Sequence, residues 1–320
     1  MTFPEIIGQE SAKRKMGFLI ESHKTNGFCR PVIFTGPKGQ GKTKIAKSLA
    51  SHLISKAGTP KKFIHINCAS LSTASVGSFI DNIYNIYVGD NEVTLFFDEA
   101  SALSSQITFA LLTILDPDKV NVDFAHGGQI FNFDLKKISW IFATSEPHKI
   151  FHALMDRFQK IDLKDYSKNE LALIIEMNLK KANMSFDSEA TIEAASVCRG
   201  NGRSAVGISE SIITRLKTIN NPHFTLQIWR DLYTSLGLFP LGLTEREIIV
   251  LKVLEKNGEG CSLTKLSACT GMTPSALRTF VETYLLQMGF IKVAIPNGRL
   301  ITPLGKKYLT DNALECSIFS

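Results

Sequence analysis

The chain contains no run of eighteen apolar residues, so no membrane-spanning helix is expected. None of its six cysteines (Cys29, Cys68, Cys198, Cys261, Cys269, Cys316) pairs in a C-x-x-C spacing. That excludes the common zinc and redox motifs and leaves reduced thiols in a cytoplasmic protein. Met1-Thr-Phe-Pro-Glu5 lacks the basic start and apolar core of a secretory signal. No internal repeat or low-complexity segment appears in the sequence. Charge of one sign is scarce: the net is only +6, which permits a nucleic-acid partner without requiring one. What remains is 320 residues, 44% hydrophobic and 21% charged, enough for two or three ordinary globular domains.

Gly36–Thr43 reads GPKGQGKT, a full match to G-x-x-x-x-G-K-[ST]. The preceding Pro31–Thr35 is short and apolar, as a buried parallel strand should be. The following segment, to Ile54, puts Ile45, Leu49, His52 and Leu53 on one helical face. A glycine-rich loop between strand and helix turns backbone N–H groups and a positive helix end toward a phosphate. Gly36, Gly39 and Gly41 would shape that loop, Lys42 would reach the β- and γ-phosphates of ATP, and Thr43 would hold Mg²⁺. A chance Gly-Lys-Thr in a turn is the bland alternative, and the flanking elements argue against it. Glu92–Ala100 is a second apolar strand, ending in Asp98-Glu99. Paired acids there suit a Walker B site, with Asp98 toward Mg²⁺ and Glu99 polarising the attacking water. A helix start that merely favours acids is the competing reading.

Further strands are expected at Phe63–Asn67 and Lys137–Thr144, and helices at Ser11–Ser22 and Ser104–Leu115 with Ser104 as cap. Alternating strands and helices imply a doubly wound parallel sheet, with ligands at the carboxyl ends of the strands. Val120–Asp134 reads as a β-hairpin around Gly127-Gly128, and its Phe124, Ile130, Phe131 and Phe133 serve either a contact surface or the domain's own flank. From Ser167 to Leu236 strand signals stop, and four helices are expected. After Leu243, three helices, the last with Thr273 as cap and Pro274 at its first position, precede two short strands joined by Ile295-Pro-Asn-Gly298. That is a winged-helix layout.

In this order the parts resemble the RuvB family, the AAA+ motors of Holliday-junction branch migration. The likeness is carried by Ile7-Gly-Gln-Glu10, Gly36–Thr43, Asp98-Glu99, Ala143-Thr-Ser145, Asp156-Arg-Phe158 and Arg199-Gly-Asn-Gly-Arg203. In the winged helix, Tyr284-Leu-Leu-Gln-Met-Gly-Phe290 and Asn297-Gly-Arg299 carry it further. The resemblance implies an α/β fold: a P-loop AAA+ parallel-sheet domain over 1–165, a helical lid over 166–240 and a C-terminal winged helix over 241–320. It also implies Thr144 as sensor 1, Arg157 as an arginine finger acting on a neighbouring subunit, Arg203 as sensor 2, and Ile7 and Tyr166 near adenine. Arg157 as a salt-bridge partner, Arg203 as a solvated charge and Tyr166 as a hinge aromatic are the structural alternatives. The implied function is an ATP-driven ring, a homohexamer, translocating duplex or four-way-junction DNA, with a RuvA-type partner on the 120–134 hairpin.

The chain departs from the family at several points. Pro37-Lys-Gly-Gln40 stands where the family has Pro-Pro-Gly-Leu, Met155 replaces an arginine, and Gly200-Asn-Gly-Arg203 stands for Gly-Thr-Pro-Arg. The third helix of the winged helix carries one cation, Arg278, so phosphate contact by Arg299 and Lys292 is expected in place of base readout. A winged helix that docks protein is the other reading. An ATP-switched loader or adaptor, or a DNA-binding regulator, are the alternative functions.

Overall fold

The computed structural model describes residues 3–296 and 298–312. Cys316 and Asn297 lie outside the described residues. The chain forms two compact units, Met1–Ile174 with Gly200–Gly207, and Ile175–Arg199 with Ile208–Ser320.

The first unit is built on five parallel strands: β1 (Val32–Thr35), β2 (Lys62–Asn67), β3 (Val93–Asp98), β6 (Ile138–Thr144) and β7 (Gln159–Asp162), in the order β2-β3-β6-β1-β7. Alternate side chains leave the sheet on opposite faces. Ile33, Leu95, Phe97, Trp140 and Phe142 join one core cluster, and Phe34, Phe96, Ile141 and Ala143 join the other. Both faces are therefore buried, which explains continuous apolar runs in place of alternation. Phe97 stacks on Trp140 (5.8 Å, 9°) and on Phe142 (4.8 Å, 12°), tying β3 to β6. The register sets Thr35 beside Thr144 and Asn67 beside Asp98, so the polar ends of these strands share one edge.

The helices Glu10–Asn26, Lys42–Ala50 and Ser105–Ile114 fall where the periodicity puts them, and Ser104 caps the last by accepting from Ile107 N. β7 is a strand that the sequence does not announce: Gln159-Lys-Ile-Asp has one apolar residue and shows no pattern, yet it completes the sheet beside β1. The hairpin forms as β4 (Asn121–His126) and β5 (Gln129–Asp134). Its aromatics are not a surface, however. Phe131 and Phe133 are buried in the core, with Tyr84 edge-on to both, and Ile130 is the exposed one at 73%. Tyr84 sits in a π-helical stretch, Ile80–Val88, and its hydroxyl pairs with Asn132 N and O (3.1 and 3.0 Å).

The second unit adds helices Ser188–Ala195 and Leu226–Ser235 and a short parallel pair, β8 (Ser185–Phe186) with β9 (His223–Phe224), in a region expected to be all helical. Helices Lys168–Lys181 and Gly202–Thr218 each have residues in both units. The winged helix is Glu245–Asn257, Leu263–Thr270, a third helix over 274–287 widened to π form at Leu277–Glu282, β10 (Ile291–Ala294), β11 (Gly298–Ile301) and Pro303–Asp311. Thr273 caps the third helix by accepting from Ala276 N.

Candidate nucleotide site

β1 ends in the phosphate loop. Gly36 has φ +145, and a Cβ there would lie 2.7 Å from Leu163 O, so only glycine fits. The loop's carbonyls are committed one after another. Lys42 Nζ donates to Gly36 O (2.8 Å) and Pro37 O (2.9 Å). Asn201 Nδ2 donates to Lys38 O (2.8 Å), Arg203 N to Gly39 O (3.1 Å), and Tyr166 OH to Gln40 O (3.2 Å). With its carbonyls held, the loop meets an anion through its N–H groups. Gly41, the N-cap of helix Lys42–Ala50, supplies no side-chain cap, so the first helical N–H groups could serve the same phosphate.

Burial lowers the pKa of Lys42, and the charges of Glu99 and Asp98 push it back up. An ammonium this enclosed is short of solvation, and phosphate oxygens would restore it. Thr43 Oγ1 donates to Asp98 Oδ2 at 3.0 Å. His65 Nε2 lies 3.2 Å from the same oxygen, and Glu99 N donates to Asp98 Oδ1 at 3.1 Å. Glu99 adopts φ +54, ψ +50, the left-handed region that non-glycine residues rarely enter. Such strain concentrates at functional sites. Ser145 Oγ donates to Glu99 Oε2 (3.3 Å), and Thr144, wholly buried, accepts from Glu146 N (3.0 Å). Among the described residues no group of three or more His, Cys, Asp or Glu is spaced to hold a metal. A cation here would rest on Thr43 and Asp98 with water and phosphate oxygens, the usual economy of Mg²⁺ sites.

Tyr166 closes one side, with its hydroxyl's pKa raised by burial, and Ile7 is half-buried in the segment before the first helix. Gln9, two residues on, exchanges two hydrogen bonds with Lys164, at O (2.7 Å) and N (3.1 Å). Arg203 contributes its main chain to the loop and keeps an exposed side chain.

Arg157 stands apart from this cluster: Nε donates to Leu112 O (3.0 Å) and Nη1 to Ala153 O (3.3 Å). His65, Gln40 and Ser145 also line the site, and sequence reasoning gives none of them a role there, because their partners lie 33, 125 and 46 residues away.

Arg299, expected to contact phosphate, is engaged within the winged helix. Its Nε and Nη2 hold the Glu282 carboxylate at 2.6 and 3.1 Å, with side chains 14% and 5% exposed. The guanidinium is spent on a buried acid of the neighbouring helix. Lys292, on β10, is exposed.

A parallel sheet with a phosphate loop after β1 and adjacent acids after β3 is the layout of a P-loop nucleotide-binding domain. Residues 32–166 match the family model "ATPase family associated with various cellular activities (AAA)", and residues 240–310 match "RuvB C-terminal winged helix domain". In both of these segments the chain is similar to the RuvB-like AAA+ ATPases. It is 28% identical over 306 residues to the Holliday junction branch migration complex subunit RuvB of Campylobacter fetus subsp. fetus, covering 94% of this chain and 86% of that protein. With the same-named protein of Fervidobacterium nodosum the identity is 26%, over 98% and 89%. The fold is similar to that of the solved Thermotoga maritima RuvB Holliday junction branch migration motor, with TM-score 0.74, 24% identity and 97% of each chain covered. The chain is therefore an ATPase. Among the described residues no helix is long and apolar enough to cross a membrane.

Proposed function

We propose that this ATPase is a ring motor that translocates duplex DNA and drives branch migration at Holliday junctions. The observation that carries the reading is the presence, on one chain, of an ordered phosphate loop with Asp98 and Glu99 and of a winged helix matching the RuvB model. In this reading 1–165 hydrolyses ATP, 166–240 is the lid and 241–320 is the winged helix. Lys42 moves from the carbonyls of Gly36 and Pro37 to the β- and γ-phosphates, Thr43 and Asp98 hold Mg²⁺, and Glu99 orients water for in-line attack. Thr144 faces the γ-phosphate, Arg203 joins it from the lid side, and Ile7 and Tyr166 flank adenine. Arg157 completes the site of the next subunit in a homohexamer, and the 120–134 hairpin meets a RuvA-type partner. The location is cytoplasmic.

A second reading, an ATP-switched loader, is favoured by two observations: Arg299 is bound to Glu282, and Phe280 and Ile295 of the winged helix are 71% and 98% exposed. Such a surface suits protein as well as DNA. The deciding measurement is the ATPase rate with no DNA, with linear duplex and with a four-way junction, each with and without a RuvA-type protein. Continuous turnover stimulated by DNA supports the motor. Stimulation by protein alone, with DNA inert, supports the loader.

A further inference from the structure

Gln40 occupies a position that the G-x-x-x-x-G-K-[ST] pattern leaves unspecified, yet it is 1% exposed and hydrogen-bonded. Its Nε2 donates to Asp165 Oδ1 at 2.6 Å and to Gly200 O at 3.1 Å. Both neighbours are acceptors, so the amide has one permitted orientation; a flip would set oxygen against oxygen. That orientation leaves Gln40 Oε1 buried without a hydrogen-bond partner. A buried acceptor of this kind bears its desolvation cost without a compensating bond. The Gln40 amide therefore imposes a stability penalty that an apolar side chain would avoid, and its two donated bonds must be weighed against it.

Those bonds join the phosphate loop to the two segments that hold its carbonyls. Asp165 adjoins Tyr166, whose hydroxyl donates to Gln40 O and whose N donates to Gly200 O (3.0 Å). Gly200 precedes Asn201 and Arg203, the donors to Lys38 O and Gly39 O. A Cβ on Gly39 would collide with the Asn201 amide, so the two segments are in full contact. Cutting the Gln40 link loosens the support behind three consecutive loop carbonyls without touching Lys42, Thr43, Asp98 or Glu99.

We infer that Gln40 is a positioning residue that holds the phosphate loop open for nucleotide through Asp165 and Gly200, setting affinity for ATP while leaving the hydrolytic step to other groups. The inference rests on the ATPase activity and not on the DNA reading. Its test uses the full chain, with binding of a fluorescent ATP analogue, the KM and kcat of hydrolysis, and thermal midpoints. Gln40→Leu removes the link and the unpartnered oxygen together. Affinity should fall about 3- to 10-fold, as for a charge-assisted hydrogen bond at a part-exposed site, with KM following it. The thermal midpoint should hold or rise. Asp165→Ala, at an exposed position, cuts the same link from the other end and should weaken binding similarly. Gln40→Glu sets a carboxylate against Asp165 and should bind worse than Gln40→Leu at pH 8. Adding Asp165→Asn restores a donor–acceptor pair and should recover most of that additional loss. A purely structural role would lower the thermal midpoint and leave KM where it was. Unchanged affinity in both Gln40→Leu and Asp165→Ala, or a kcat loss larger than the KM change, overturns the assignment.

Discussion

Glu99 is the residue whose backbone and side chain point to chemistry together. It sits in a left-handed conformation at φ +54, and Ser145 holds its carboxylate at 3.3 Å. Glu99→Gln should keep ATP binding near the wild-type level and reduce hydrolysis by about 10²–10³, the range seen when a group stabilising the transition state is removed. Wild-type turnover in that variant would end the water-orienting role. Lys42→Ala should lose binding itself, because the phosphate charge then lacks its direct cation; a filter or fluorescence binding assay reads this. The gathering of Lys42, Thr43, Asp98 and Glu99 is legible in the sequence because each belongs to a short local pattern next to an apolar run. His65 is not. It reaches Asp98 through the pairing of β2 with β3, which no single stretch of sequence displays.

At the scale of elements, buried polar groups decide what a strand or helix tolerates. Arg299 on β11 neutralises Glu282, which is 5% exposed within the third helix of the winged helix. Arg299→Ala would strand that carboxylate, and breaking a buried pair from one side costs about 3–5 kcal/mol. Denaturant unfolding should show the loss, with the double variant Arg299→Met, Glu282→Leu less damaged than Arg299→Ala. The last turn of helix Glu10–Asn26 offers a pH probe. His23 is 5% exposed, its Nε2 accepts from Ile54 N (3.1 Å), and burial depresses its pKa below the ordinary value of 6.5. The folded state therefore resists the proton that the unfolded chain accepts. Stability should be intact above that value and fall as pH drops below it. His23→Gln should flatten the thermal midpoint between pH 7 and 5; an unaltered slope would place the pH dependence elsewhere. Elements of this kind are only partly readable. Helix caps and apolar strands announce themselves at Ser104 and Thr273, whereas β7 and the β8–β9 pair are too short and too polar to show a period. The π-helical widening at Leu277–Glu282 has no sequence signature at all.

At the scale of the whole molecule, the question is whether the winged helix grips DNA and whether subunits complete each other's sites. With Arg299 paired to Glu282, a phosphate grip would fall first to Lys292, Lys306 and Lys307, all exposed. Replacing the three by Ala should weaken binding alike on unrelated duplexes. The salt dependence should become shallower by about 0.9 for each phosphate that is no longer neutralised. Fluorescence anisotropy across a salt series reads both, and unchanged binding would favour a winged helix that docks protein. Assembly is tested by mixing. Arg157 caps the carbonyls of Leu112 and Ala153, so as a finger it must leave at least one of them when a neighbour presents ATP. Arg157→Ala should bind ATP nearly normally and hydrolyse it about 10³-fold or more slowly. Glu99→Gln fails for the opposite reason, lacking the water-orienting carboxylate but keeping its own Arg157. In a mixed ring, an Arg157→Ala subunit keeps Glu99 and can receive Arg157 from a Glu99→Gln neighbour, so one class of interface is whole. Turnover should therefore rise above that of either variant alone and peak near equal amounts. A flat mixing curve, with co-assembly confirmed by cross-linking, would mean that Arg157 serves only the carbonyls it already holds.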